Sequence, residues 1–285
     1  MEFYNFWARS EAIPANGEKV KFVKCVGYSN ESTADALRVA NERAQHAASM
    51  MNNNQPLDYS YRQLPFREEV IERFTQDDEL VTVLSRVHYG AIVLNTTQVL
   101  FADIDLPQGK PKAKSGGGLF SFFSKKKPAT PPKPPGSDLI KKIEQLCEAS
   151  PYLGLRLYRT AAGFRCMATS STYAVNDDKA TELLKSLRSD ELYVTLCRRQ
   201  RCFRARLTPK PHRLGMRQPP HHFPSQNQQE ETAMKQWQQE YEEKSKQYAT
   251  CALVGQFGNQ QISPDVESIL ELHEHFSCSD SLPLA

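Results

Sequence analysis

Lysines interleave with apolar residues from Lys19 to Gly27, a short-period pattern that predicts a strand, and the loop Tyr28-Ser29-Asn30-Glu31 ends it. The period then lengthens. Ala36, Leu37, Val39, Ala40 and Ala44 fall on one helical face up to about Met51, with Ser32 as N-cap and Asp35 three residues on. Asn52-Asn53-Asn54-Gln55-Pro56 stops that helix, and the Pro65 signal predicts a short helix from Phe66 to Phe74. Three segments rich in Val, Leu, Ile and aromatics follow: Leu80 to Val87, Tyr89 to Leu94 and Gln98 to Ile104. Turn signals at His88-Tyr89-Gly90 and Asn95-Thr96-Thr97 make them an antiparallel meander.

The pattern resumes with an amphipathic helix from Ser137 to Ala149, carrying Leu139, Ile140, Ile143 and Leu146 on one side. Leu153 to Tyr158 and Phe164 to Thr169 predict strands, Asp177 to Leu187 a helix, and Leu192 to Cys197 a further strand. From the strand ending at Asp105 onward the order is β-α-β-β-α-β, which is ferredoxin-like and also used by polymerase palms. The expected fold class is α+β: an antiparallel-rich sheet with helices on one face and a helical C-terminal extension. That extension comprises a long polar helix from Gln226 to Tyr248, a strand from Thr250 to Phe257 and a last helix from Pro264 to Phe276. Its stripe of Met234, Trp237, Tyr241 and Tyr248 reads as a docking face.

Composition divides this pattern into parts. Residues 107–136 hold seven prolines, five glycines and seven lysines with no acid, which cannot build a core and predict a disordered insertion. It separates residues 1–106 from the second half of the core with its basic segment, 137–217, and the extension, 218–285. Within it, Leu119-Phe120-Ser121-Phe122-Phe123 followed by Lys125-Lys126-Lys127 is a candidate weak contact with a membrane surface or a partner. Residues 198–217 carry eight Lys/Arg and again no acid. The net charge is only +3, so these two basic segments, rather than the whole chain, point to an anionic partner such as nucleotide or nucleic acid. Seven scattered cysteines without a C-x-x-C pair fit free thiols in a reducing compartment. The start lacks a basic-then-apolar signal, and no apolar run is long enough to span a bilayer. The expectation is a cytoplasmic protein.

The candidate chemistry centres on Phe101-Ala102-Asp103-Ile104-Asp105. Residues two apart on a strand share a face, so Asp103 and Asp105 would project together about 7 Å apart and repel unless a cation stands between them. Hard ions such as Mg²⁺ or Mn²⁺ favour such oxygens and use them to hold phosphates. Asp190 is the candidate third acid. The turn Arg159-Thr160-Ala161-Ala162-Gly163-Phe164-Arg165 offers backbone amides and two arginines for a phosphate. Further on, Arg204 and Arg206 alternate with Phe203, Ala205 and Leu207, and with Lys210 and Arg213 they form a ladder suited to a nucleic-acid backbone. No Gly-x-Gly-x-x-Gly, P-loop or Gly-x-Ser-x-Gly element is present, which argues against dinucleotide, P-loop and serine-hydrolase chemistry.

The succession of an Asp-apolar-Asp strand, insertion, helix, strand, Thr-x-x-Gly-x-Arg turn and strand resembles the catalytic core of archaeo-eukaryotic-type primases and primase-polymerases. The resemblance covers about residues 98–200. It implies a metal-dependent nucleotidyltransferase with a palm-like core, in which Asp103 and Asp105 hold the metal, Asp190 is the further acid, and Thr160, Gly163 and Arg165 form the nucleotide turn. Cys166 stands where that family often has a nucleotide-binding histidine, a departure that implies reduced or altered catalysis. A second expectation, from a different class, is a non-enzymatic interaction module. In it the aspartates and arginines satisfy one another and the basic segments recruit an anionic partner.

Overall fold

A computed structural model of the chain describes residues 1–14, 22–55, 65–106 and 136–285. The insertion, apart from Gly136, and its 119–127 segment lie outside the described residues. The N-terminal layer is a two-stranded antiparallel sheet, β1 (Phe6–Ala12) with β2 (Val23–Ser29), crossed by α1 (Thr33–Asn52). Ser32 Oγ accepts from the Asp35 amide at 3.0 Å, so the cap predicted for this helix forms. Ala36, Ala40, Ala44, Ala47 and Ala48 are buried on the sheet side. Small side chains let the helix sit close. A Cβ on Gly27 of β2 would collide with the Ala36 carbonyl and the Ala40 backbone.

A second sheet has the order β3-β4-β5-β9, all antiparallel: β3 (Glu69–Gln76), β4 (Glu79–Arg86), β5 (Ile92–Thr96) and β9 (Phe203–Arg206). The helix expected from Phe66 to Phe74 is therefore largely a strand. The hairpin decides it, because Asp77 and Asp78 both take positive φ (50° and 63°), as a two-residue type I′ connection between twisted strands requires.

The third sheet has the order β10-β7-β8-β6, again antiparallel: β6 (Phe101–Asp105), β7 (Gly154–Thr160), β8 (Gly163–Ala168) and β10 (Cys251–Gly258). The third strand of the expected meander thus leaves its neighbours and becomes an edge of this sheet. Helix α2 (Ser137–Ala149) covers the face bearing Phe164 and Cys166, and α6 (Pro264–Ser277) covers the opposite face through His273, whose ring lies 5.3 Å from Phe101 and 4.9 Å from Tyr158. Helices therefore occupy both faces, not one.

Between them, α3 (Asp178–Ser186) is followed by α4 (Glu191–Gln200), where a strand was expected from Leu192 to Cys197. Capping outweighs the β-branched residues here. Asp190 Oδ1 accepts from the Tyr193 amide at 2.7 Å, Glu191 sits in the first turn, and Arg198 and Arg199 sit in the last. The strand that closes the segment, β9, pairs with β5 in the other sheet, so the palm-like order does not close within one sheet. Tyr193 joins the two sheets instead: its hydroxyl donates to the Phe101 carbonyl (2.9 Å) and accepts from the Arg204 amide (3.2 Å). A continuous apolar core runs through both sheets, including the fully buried Leu94, Leu100, Phe101, Leu157 and Phe203. Full burial of each such side chain contributes about 1.5–3 kcal/mol. The C-terminal helix α5 (Gln228–Ser245) docks through Tyr241 and Trp237, as its stripe predicts.

Candidate metal and phosphate site

β6 delivers both aspartates to one face. Ala102 and Ile104 are buried on the α2 face, while on the other face Phe101 is buried against His273 and Asp103 and Asp105 are exposed. Neither carboxylate forms an ion pair within 4 Å with a described residue. Asp105 has its carboxyl raised above the usual range, first by partial burial and then by the charges of Asp103 and Asp190, with Lys210 and Arg213 acting in the opposite sense. Asp190 lies alongside because its amide donates to the Asp103 carbonyl (2.9 Å), as does the Ser189 hydroxyl (3.1 Å). Its own carboxylate is committed to capping α4. That makes Asp190 a neighbouring charge rather than an open third ligand.

A basic wall faces these acids. Lys210 is lowered first by burial and then by Arg206 and Arg213, and is drawn back up by Asp103 and Asp105. Arg206 is pushed down to about 10 by burial and by Arg165 and Arg213, again with Asp103 opposing. Among the described residues, one Nη atom of Arg206 and one of Arg213 are buried without a hydrogen-bond partner. Unpaired buried donors of this kind are rare and call for an acceptor.

The phosphate turn is arranged otherwise than the sequence predicts. β7 and β8 pair Tyr158 with Arg165 and Arg159 with Phe164, so Arg159 and Arg165 leave opposite faces of the sheet. Arg159 lies 4.8 Å over the Phe164 ring and donates to the Gly163 carbonyl (2.9 Å). Thr160 Oγ1 accepts from the Gly163 amide (3.0 Å), which closes the turn, and a Cβ on Gly163 would collide with the Ile104 carbonyl. The small residue serves the approach of β6. Arg165 alone shares the aspartates' face, opposite Asp103 in register. It is buried, donates to the Arg206 carbonyl (2.9 Å), and stands 3.0 Å from His273 Nε2. His273 is an imidazole that the motif comparison did not find. Its signal was weak, since His273 and His275 lie two apart in a terminal helix and face different directions, and burial holds the His273 pKa below the ordinary value. Cys166 pairs with Ala102, faces α2, and has its thiol pushed up by burial.

Arg204 is not in this group. It forms a closed pair with Glu68, whose two oxygens accept from Nη2 at 2.8 and 2.9 Å, and lies 4.6 Å over Phe66. The structure therefore brings together Asp103, Asp105, Asp190, Arg165, Arg206, Lys210 and Arg213, and leaves Arg159 and Arg204 elsewhere.

The donor set fits a hard divalent ion in one respect and limits it in another. Two open carboxylates two residues apart are present, yet among the described residues no group of three His, Cys, Asp or Glu side chains is placed to hold a metal. Mg²⁺ is commonly held by one or two carboxylates, with water and substrate phosphate completing its shell, and this pair matches that mode.

The chain belongs to the α+β class with antiparallel sheets, and among its described residues no helix is long and apolar enough to cross a membrane. No protein family, curated protein or solved structure matches it.

Proposed function

We propose that the protein is a metal-dependent, nucleotide- or nucleic-acid-handling protein of primase or palm-like type, with altered or reduced catalysis. The observation that carries this reading is a pair of unpaired carboxylates, Asp103 and Asp105, on one exposed face beside Arg206, Lys210 and Arg213. Asp103 and Asp105 hold Mg²⁺ or Mn²⁺, which when bound neutralises phosphate oxygens. Lys210, Arg206 and Arg213 take up the remaining phosphate charge, and the buried Arg165 fixes the Arg206 backbone. Asp190 positions α4 and raises the local negative potential. Cys166 replaces the cationic imidazole of the resembled motif and faces α2 rather than the aspartates, so position 166 supplies no cation to a phosphate held there.

Thermal unfolding in rising Mn²⁺ and Mg²⁺ tests the metal. The wild type is expected to be stabilised and Asp103→Asn/Asp105→Asn not. Incorporation of labelled nucleotide on a single-stranded template, lost in the same variant, tests the activity. Equal metal effects on both proteins would remove the metal reading. The alternative, a non-enzymatic module binding an anionic partner through its basic segments, is favoured by the unpartnered Nη atoms of Arg206 and Arg213. It predicts polyanion binding that Mn²⁺ leaves unchanged.

A further inference from the structure

A cavity of about 290 Å³ lies apart from the aspartates, lined by Pro65, Phe66, Arg67, Glu68, His88, Gln200 and His222. Its polar groups are almost all donors. Glu68, the one acid in its wall among the described residues, is occupied by Arg204 on both oxygens and by the Ser85 hydroxyl (2.6 Å). Gln200 gives its carbonyl oxygen to Arg204 (3.3 Å), which leaves its amide N–H groups as the free end. The His88 and His222 rings stand 6.4 Å apart between centroids, and neither ring has a hydrogen-bond partner among the described residues. Arg67 is held by its Nε donating to the Phe223 carbonyl (2.6 Å), while Nη2 is buried without a partner among the described residues.

The cations here are fixed by backbone carbonyls rather than by acids. Arg9 likewise donates to the His222 carbonyl (3.2 Å). Arg67 and Arg9 repel each other, and a charge on His222 is disfavoured first by burial and then by Arg67, His88, Arg9 and His221. Like charges gathered without a counter-charge are stabilised by an anion. Both rings, at this separation, can reach the oxygens of one tetrahedral oxyanion, which accepts from several donors at once. The volume is at the small end of ligand sites, too small for a nucleoside triphosphate.

We propose that this cavity binds a phosphate group, free or as a small phosphomonoester, through Arg67, His88, His222 and the Gln200 amide. The site is independent of the proposed metal centre. Arg67 grips the anion, and the two imidazoles donate to it.

The test is titration calorimetry of the full chain with inorganic phosphate, glycerol phosphate and sulfate at constant ionic strength. Arg67→Gln and His222→Gln are each expected to weaken phosphate binding at least tenfold, and Lys246→Ala, at an exposed position on the C-terminal end of α5, to leave it within twofold. Tighter binding of glycerol phosphate than of phosphate assigns a monoester, and the reverse order assigns the free ion. Since a substituted Arg67 could unsettle the fold, the His88 and His222 ring proton resonances of the wild type provide a second measurement, and both should shift on phosphate addition. The proposal is overturned if phosphate does not bind saturably, if sulfate matches phosphate with neither ring shifting, or if Lys210→Ala/Arg213→Ala abolishes binding while Arg67→Gln does not.

Discussion

Removing Glu68 should destabilise the protein far more than removing an ordinary surface acid. The Glu68 and Arg204 side chains are 9% and 15% exposed, and two contacts at 2.8 and 2.9 Å join them. Burial presses the Arg204 pKa down, and Glu68, with Cys202 and Tyr89, outweighs it, leaving a net rise. Truncating one partner of a buried pair strands the other charge and costs about 3–5 kcal/mol. Glu68→Ala also leaves the Ser85 hydroxyl without its acceptor, worth about 1 kcal/mol and included in that range. The double variant Glu68→Leu/Arg204→Met removes both charges, keeps apolar packing on Phe66, and should recover most of the loss. Urea unfolding of the wild type, both single variants and the double variant gives the coupling energy directly. Additive losses, or a Glu68→Ala cost below about 1 kcal/mol, would refute the argument, since the pair would then be as weak as an exposed one. If it stands, Arg204 belongs to the framework, and the proposed phosphate contact rests on Arg206, Lys210 and Arg213 alone.

Two further outcomes follow from single groups. Asp105 has a raised folded-state pKa, so its contribution is fully present below the unfolded value of about 3.9 and is lost as pH rises through the folded value, leaving a neutral-pH penalty. Each carboxylate repelling it from about 7 Å costs about 0.6 kcal/mol at the dielectric of water, so Asp105→Asn should stabilise the metal-free protein by roughly 0.5–1 kcal/mol at pH 7, with the gain shrinking toward pH 4. Urea titrations across that range check it, and a destabilised variant refutes it. Cys251 and Cys278 lie with sulfurs 3.3 Å apart, and hydrogen bonding from Cys278 lowers the Cys251 thiol against its burial. Oxidation by glutathione disulfide should join them and raise stability by about 3–4 kcal/mol through closure of the intervening loop, an effect absent from Cys278→Ser by intact mass and urea unfolding.

The parts legible in the sequence are those set by local rules. Ser32 caps α1 because the hydroxyl and the Asp35 amide are three residues apart, and Asp103 and Asp105 share a face because side chains alternate on any strand. The parts that were not legible depend on register or on distant partners. Whether Arg159 and Arg165 face each other turns on where the hairpin closes, and the Tyr158–Arg165 pairing puts them on opposite sides. Leu192 to Cys197 carries strand-like residues, yet one carboxylate at Asp190 starts a helix there. Arg204 meets Glu68 across 136 positions, a pairing that no spacing rule reveals. His273 reaches Arg165 across 108 positions for the same reason.

The chain contains closed ion pairs wherever charge serves the framework. Arg204 meets Glu68 at 2.8 Å, Arg86 meets Glu69 at 2.9 Å, and Arg156 meets Glu274 at 2.7 Å, the last also bonded by the Tyr158 hydroxyl. Arg204–Glu68 and Arg156–Glu274 join elements far apart in sequence, Arg86–Glu69 ties the β3–β4 hairpin, and each leaves little charge uncompensated. Asp103 and Asp105 differ from all of these. Lys210, Arg206 and Arg213 are near enough to act on them electrostatically, yet none closes to contact. Arg165 sits opposite Asp103 in register but turns its guanidinium to the Arg206 carbonyl and His273. A purely structural role would be better served by collapse into pairs, because separated charges forgo both Coulomb attraction and hydrogen bonds. Held apart on strands and short turns, the acids keep affinity for a cation while the bases keep affinity for an anion. Under the proposed function, a metal-bound phosphate would meet both sets of charges in this open arrangement, whereas a structural ion network would have closed them into pairs.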